Sequence, residues 1–251
     1  MSPSFLFRAF FSLVIVTTFA CSSDKGAGES ETPSTQGELV EFRTADDLRI
    51  VANFLAAESG GDSPAVVLIH QGGSSKAEWS AFADRLAKEG IASLAYDVRG
   101  HGESDPVPEI RELFNDPNKA PEDLRAALEY LRSHADVDAG RIGVVGASIG
   151  SNLACVASSQ YGIQTAIAMS GKTSAVKNLA GTEELHLRSV YHISSEKDGS
   201  GDRAKWAREL FEETAEPREL TIAPGGRHGV YIFEDDPTLP DKMVAWLKKT
   251  L

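Results

Sequence analysis

The sequence predicts an α/β fold: one mostly parallel sheet of about eight strands with helices on both faces. Short apolar runs alternate with amphipathic helical stretches from residue 38 to the end of the chain. One of them, Ala65-Val66-Val67-Leu68-Ile69, is apolar throughout, as in a strand covered on both faces of a parallel sheet. No internal repeat or interdomain linker interrupts the pattern after Gly37. Alternation this regular implies right-handed crossovers, which lay helices on both sides of a single sheet.

The first 37 residues differ from the rest. Residues 1–20 carry one charge, Arg8, and then the apolar run from Ala9 to Ala20. At about twelve residues that run is short for a membrane span of about 20, and it reads as a secretory signal. Cys21 follows, and residues 22–37 (SSDKGAGESETPSTQG) hold too little apolar surface to order themselves. An apolar run, small Ala20, a cysteine and a polar tether resemble a bacterial lipoprotein signal. That resemblance implies export to the cell envelope, a lipid on Cys21 and membrane contact through that lipid. Thr18 and Phe19 depart from the pattern, which leaves cleavage after Ala20 without lipidation open. A coil of this length spans on the order of 20–25 Å.

From residue 38 the elements follow in order. Residues 39–43 and 48–55 alternate apolar and polar around Asp46-Asp47, as a hairpin of two half-buried strands would. The strand at 65–69 leads into a helix over 76–88, where Trp79, Phe82, Ala83 and Leu86 recur every three or four residues. A strand at 91–96 and a helix at 121–134 with Leu124, Leu128 and Leu131 on one stripe come next. Strands at 141–145, 165–169, 189–193 and 219–222 follow, with helices at 152–161, 203–213 and 241–249. The domain so defined runs from 38 to 251.

Composition excludes several classes of function. A net charge of −12 and the absence of any five-residue basic cluster argue against nucleic acid as a partner, since phosphate tracking needs a positive surface. Two cysteines make neither a disulfide scaffold nor a four-ligand zinc site. Cys155, between Ala154 and Val156 on an expected helix, reads as a buried structural thiol. There is no H-E-x-x-H, no phosphate-binding loop and no dinucleotide fingerprint after the first parallel strand, so neither metal nor cofactor is expected.

In a sheet of this kind ligands bind beyond the strand carboxyl ends. The strand at 141–145 runs into Gly146-Ala147-Ser148-Ile149-Gly150 and then a helix. The string alone is weak, but strand, motif and helix in this order describe a nucleophile elbow, whose tight turn admits only small residues two before and two after the serine. The elbow sets the hydroxyl at a helix N-terminus, where backbone N–H groups favour developing negative charge. A serine needs a base, and the base an orienting acid. Of six histidines, His134 sits at a helix end, His186 precedes a strand and His192 lies within one. His70 and His101 fall in turns of architectural character. His228, flanked by glycines after the last strand, is the expected base. Asp198, past the strand at 189–193, is the expected acid, with Glu196 and Asp202 in reserve; after 165–169 the chain reads Ser170-Gly171-Lys172, without a carboxylate.

The order Ser148, Asp198, His228 resembles that of the α/β-hydrolase fold. The resemblance covers residues 39–251. His70-Gln71-Gly72-Gly73 resembles the family's oxyanion loop, with Gln71 in place of a glycine, and Asp97-Val98-Arg99-Gly100-His101-Gly102-Glu103-Ser104 resembles its D-x-R-G-x-G-x-S turn. Residues 141–146 look like the strand entering the elbow in dienelactone-hydrolase-like and esterase branches, and Ser151 stands where many members carry another glycine. The resemblance implies a serine hydrolase acting on a small-molecule carboxylic ester or related acyl substrate through an acyl-enzyme. Its oxyanion donors are the N–H of Ile149 and one from the loop after the third strand, Gly72 being favoured over Gln71. A peptidase or acyltransferase using the same residues, or a binding or scaffold lipoprotein with an idle triad, are the alternatives. Only seventeen residues, 170–186, separate two late strands, so little or no cap is expected. Residues 107–118, with Ile110, Leu113 and Phe114 at helical spacing, form either an apolar rim or a short helix packed on the core.

Overall fold

The computed structural model describes residues 37–251. The segment at 1–20 expected to be a signal, Cys21 and the expected tether, as far as residue 36, lie outside the described residues. The hairpin forms as expected: β1 (Glu38–Arg43) pairs antiparallel with β2 (Arg49–Leu55), and Asp47 turns the chain with φ 65°. Then β3 (Ser63–Ile69), α1 (Ser80–Lys88), β4 (Ala92–Tyr96), α2 (Ala120–Ser133), β5 (Val137–Ala147), α3 (Ile149–Gln160) and β6 (Thr165–Met169) alternate. The remainder is α4 (Thr173–Ala180), β7 (Leu187–Ser195), α5 (Asp202–Glu212), β8 (Thr214–Ala223), α6 (Ile232–Asp235) and α7 (Leu239–Thr250). The eight strands form one sheet in the order β1-β2-β4-β3-β5-β6-β7-β8. Pairings from β4 through β8 are parallel, and β2 alone runs against the others.

Side chains alternate across the sheet, which divides the core in two. Val67, Ile69, Val144 and Ala168 face one layer with Leu124, Leu128, Leu153 and Leu210, so α2, α3 and α5 cover that side. Val66, Leu68, Val145 and Ile167 face the other, with Trp79, Phe82, Leu86, Met243, Trp246 and Leu247 from α1, its preceding turn and α7. The stripe read at Trp79, Phe82, Ala83 and Leu86 is buried along its whole length. Cys155 is fully buried within α3, and burial pushes its thiol up to about 12, so it is inert packing.

Several boundaries differ from expectation for physical reasons. β5 begins at Val137 rather than near 141 because Val137 pairs with Ser63. Its first residues, including Asp138, Ala139 and Gly140, carry no apolar signal because they are not buried in the sheet. The helix expected over 76–88 is a 3₁₀ turn at Lys76–Trp79 followed by α1. Two helices, α4 and α6, were not foreseen. The first buries only Ala175, Val176 and Leu179 before Gly181 ends it in the left-handed region, too short a stripe to show a period. Both expectations for residues 107–118 hold in part: a 3₁₀ turn spans Ile110–Phe114, Leu113 is buried in the core and Ile110 is exposed. Seventeen residues between β6 and β7 contain α4 alone, so among the described residues there is no cap domain.

The turn after β4 is a clamp. Asp97 accepts from the backbone N–H groups of Lys76 and Glu103 at 2.7 and 2.9 Å, and pairs with the Lys76 ammonium at 2.8 Å. Arg99, 1% exposed, donates to Asp123 at 2.6 Å and to both oxygens of Asp46 at 2.7 and 2.9 Å. Removing one partner of a buried pair such as Arg99–Asp123 leaves an uncompensated charge, at a cost of roughly 3–5 kcal/mol. The clamp joins the hairpin, the sheet and α2, so its charges serve architecture rather than chemistry.

Candidate active site

The strand ends of β3, β5, β6, β7 and β8 open on one edge of the sheet. At the end of β5, Ser148 takes φ 54° and ψ −109°, a conformation that costs a non-glycine residue about 1–3 kcal/mol and persists only where its surroundings enforce it. The enforcement is visible. Ser148 N–H donates to the Met169 carbonyl at 2.8 Å, and the Ser148 carbonyl accepts from Ser151 N–H at 3.1 Å and from the Ser151 hydroxyl at 2.6 Å. A Cβ on Gly146 would collide with the Gly150 carbonyl, and one on Gly150 with the Ile69 carbonyl, which is the steric reason for glycine at both flanks. Ser151, noted as a departure, therefore has a use: its hydroxyl ties the first turn of α3 to the elbow.

His228 lies past β8 and Asp198 past β7, and the two meet. Nδ1 of His228 is 2.8 Å from Oδ2 of Asp198, which is 5% exposed, while the imidazole is 34% exposed. The Ser148 hydroxyl forms no hydrogen bond to His228; it lines a cavity of about 280 Å³ instead. The reserve acids lie elsewhere in the same turn: Glu196 and Asp202 are exposed, and neither contacts His228.

Two groups at this site escaped the sequence reading. Ser170, with φ 58°, donates its hydroxyl to Oδ2 of Asp198 at 2.8 Å and accepts from Gly229 N–H at 3.0 Å. It fixes Asp198 and the backbone beside His228 together. Arg203 donates to the Ser170 carbonyl at 2.8 Å from the first turn of α5. The only sign of Ser170 in the sequence is a hydroxyl residue immediately after a strand.

The other histidines fall where expected. His70 is fully buried, its Nδ1–H donating to the Gln71 carbonyl at 2.8 Å while Nε2 accepts from Val98 N–H at 3.0 Å, so it stitches β3 to β4. Burial lowers its pKa to about 4. His192 is held to Thr214 Oγ1 at 2.9 Å, and burial lowers its pKa to about 3. His101 sits beside His70 with ring centroids 5.1 Å apart, His134 packs against Phe54 and His186 is exposed.

Around the oxyanion loop, Gln71 and Gly72 part company. Gln71 N–H is committed to Glu78 Oε1 at 2.8 Å, whereas Gly72 lines the cavity with Ser148 and Ile149. The Gln71 side chain, 7% exposed, places Oε1 without a hydrogen-bond partner against Gly229, where a Cβ would overlap it. A side chain next to His228 would have to displace the end of Gln71, and the φ of 58° at Gly229 independently favours glycine there. Among the described residues no cluster of His, Cys, Asp and Glu is arranged to hold a metal ion.

Known proteins share this arrangement of strands. The model of the α/β hydrolase fold family matches residues 64–221, and the chain belongs to that family. An uncharacterized protein of Mycobacterium tuberculosis is 27% identical over 228 residues, covering 83% of this chain and 76% of its own. Among solved structures, the α/β hydrolase GrgF of a Penicillium species superposes with a TM-score of 0.70 at 19% identity, covering 85% of this chain and 98% of its own. An esterase of Pyrococcus furiosus superposes with a TM-score of 0.67 at 20% identity, covering 85% and 92%.

Proposed function

We propose that this member of the α/β hydrolase fold family is a serine hydrolase that cleaves carboxylic esters or closely related acyl bonds. The observation that carries the reading is the pairing of His228 with Asp198 at 2.8 Å, next to Gly229 that abuts Ala147, while Ser148 is held in a strained elbow on the wall of a cavity. In this reading Ser148 Oγ attacks the acyl carbon and its proton passes to Nε2 of His228, while Asp198 holds Nδ1–H and stabilises the imidazolium. The tetrahedral oxyanion is met by the N–H groups of Ile149 and Gly72; Gln71, already bound to Glu78, is not available for it. Collapse breaks the bond to the leaving oxygen, which takes the proton from His228. Water then attacks the acyl-enzyme, gives its proton to His228 and releases the acid, and the proton returns to Ser148.

The same reading includes export and a lipid on Cys21, checked by incorporation of a fatty-acid analogue that Cys21→Ala abolishes. Resemblance to dienelactone-hydrolase-like and esterase branches makes lactones and short esters the first substrates to try. The test is a panel of short acyl esters, lactones and aminoacyl amides offered to the wild type and to Ser148→Ala. Ester or lactone turnover that falls at least a thousandfold in Ser148→Ala is expected; undiminished turnover in the variant overturns the reading.

A further inference from the structure

We propose that the substrate of this site carries a carboxylate close to the scissile acyl group, received by Lys172 and Arg203; the proposal rests on the serine hydrolase reading. The chain is acidic, with a net charge of −12, yet the cavity beside Ser148 is lined by two cations and by no carboxylate. Lys172, immediately before α4, and Arg203, in the first turn of α5, come from different elements and converge on one aromatic surface. The Lys172 ammonium lies 5.4 Å and the Arg203 guanidinium 5.2 Å from the ring centre of Trp206. Trp206 holds both by cation–π attraction without neutralising either.

Arg203 is partly buried, and that burial lowers its pKa from the usual arginine value, an effect opposed by the Asp198 charge. Asp198 itself is engaged by His228 and Ser170. Of the five N–H donors of Arg203, one is used on the Ser170 carbonyl. Asn152, also on the cavity wall, points the same way. Its Oδ1 accepts from Lys172 N–H at 2.9 Å, and a backbone N–H can only donate, so the NH₂ is what Asn152 has left to offer. Lys172, Arg203 and Asn152 thus present donors, two of them charged, at a wall that Gly72, Phe114, Asn115, Ile149 and Ala175 complete around Ser148. A neutral ester offers the two charges no anionic partner on that wall. A carboxylate satisfies them, and charge-assisted bonds to it are shorter and about twice as strong as neutral ones.

The experiment uses two matched pairs and the purified full-length protein: monophenyl glutarate against phenyl valerate, and 4-acetoxybenzoate against phenyl acetate. The first pair carries the carboxylate on the acyl side, the second on the leaving group. In at least one pair the anionic member is expected to have the higher kcat/KM, with the preference falling about tenfold or more in Lys172→Met, mainly through KM, and declining with added salt. Lys172→Glu is expected to reverse the preference. Preference for the neutral member in both pairs, or a preference that neither Lys172 substitution moves, overturns the proposal while leaving the hydrolase reading intact if a fluorophosphonate still labels Ser148. No turnover of any ester together with no labelling removes the hydrolase reading, and this proposal with it.

Discussion

Acid should weaken this fold through histidines that take no part in its chemistry, and His192 allows the effect to be isolated. His192 is 1% exposed on β7. The Thr214 hydroxyl gives its proton to the Leu210 carbonyl at 2.7 Å, so Thr214 Oγ1 can only accept from Nε2–H of His192. That bond places a proton on Nε2, and burial depresses the pKa of the ring from 6.5 to about 3, which keeps it neutral. Because the unfolded chain takes up the proton near pH 6.5 and the folded chain does not, the contribution is complete above pH 6.5 and lost as the pH falls below it. At pH 5 the loss is about 2 kcal/mol for this residue. His70, lowered to about 4 by the same cause, adds a similar amount. The assay is urea unfolding at pH 7.5, 6.5, 5.5 and 5.0 for the wild type and His192→Leu. The variant is less stable at neutral pH, but its stability should decline by about 2 kcal/mol less over that range. Parallel pH profiles would show that His192 titrates alike in both states and would refute the argument.

Other consequences are equally concrete. Gly229→Ala should lose stability through its φ of 58° and through overlap with Gln71 Oε1, and Gln71→Ala should return the second part, a non-additivity of about 1 kcal/mol in a double-mutant cycle. Equal costs in both backgrounds would remove that contact as the constraint. Ser170→Ala leaves Gly229 N–H without its partner and takes one donor from Asp198, so it should cost about 1–3 kcal/mol in unfolding experiments and lower kcat more than it raises KM. Asp46, lowered to about 2 chiefly by its hydrogen bonds with Arg99, lends stability that is present above pH 4 and lost as the pH falls toward 2. Asp46→Asn should flatten that stretch of the acid-unfolding curve, and an unchanged curve would mean that the pair adds nothing.

What the sequence revealed, and what it hid, follow from how each feature is encoded. Buried parallel strands such as 65–69 and 165–169 are apolar runs, the second apart from Thr165, and the second is bounded correctly to the residue. Elements whose residues are exposed or few, such as the start of β5 and all of α4, leave no periodic trace. The positions of Ser148, Asp198 and His228 at strand ends were legible because each stands beside small, turn-forming residues. Ser170 was not, because a serine after a strand is unremarkable until β6 is seen to lie between β5 and β7, within reach of both Asp198 and Gly229. Lys172 and Arg203 were separated by thirty residues of unrelated pattern, and only the packing of α5 against the end of β6 brings them to one cavity.

The central claim is that Ser148 is a nucleophile that His228 and Asp198 activate. Its most direct test is mass spectrometry of the full-length protein after exposure to a fluorophosphonate. A single adduct on the peptide containing Ser148, absent in Ser148→Ala and formed far more slowly in His228→Ala, is the predicted result. An unmodified Ser148 in folded wild-type protein, or labelling at the same rate without His228, would contradict it.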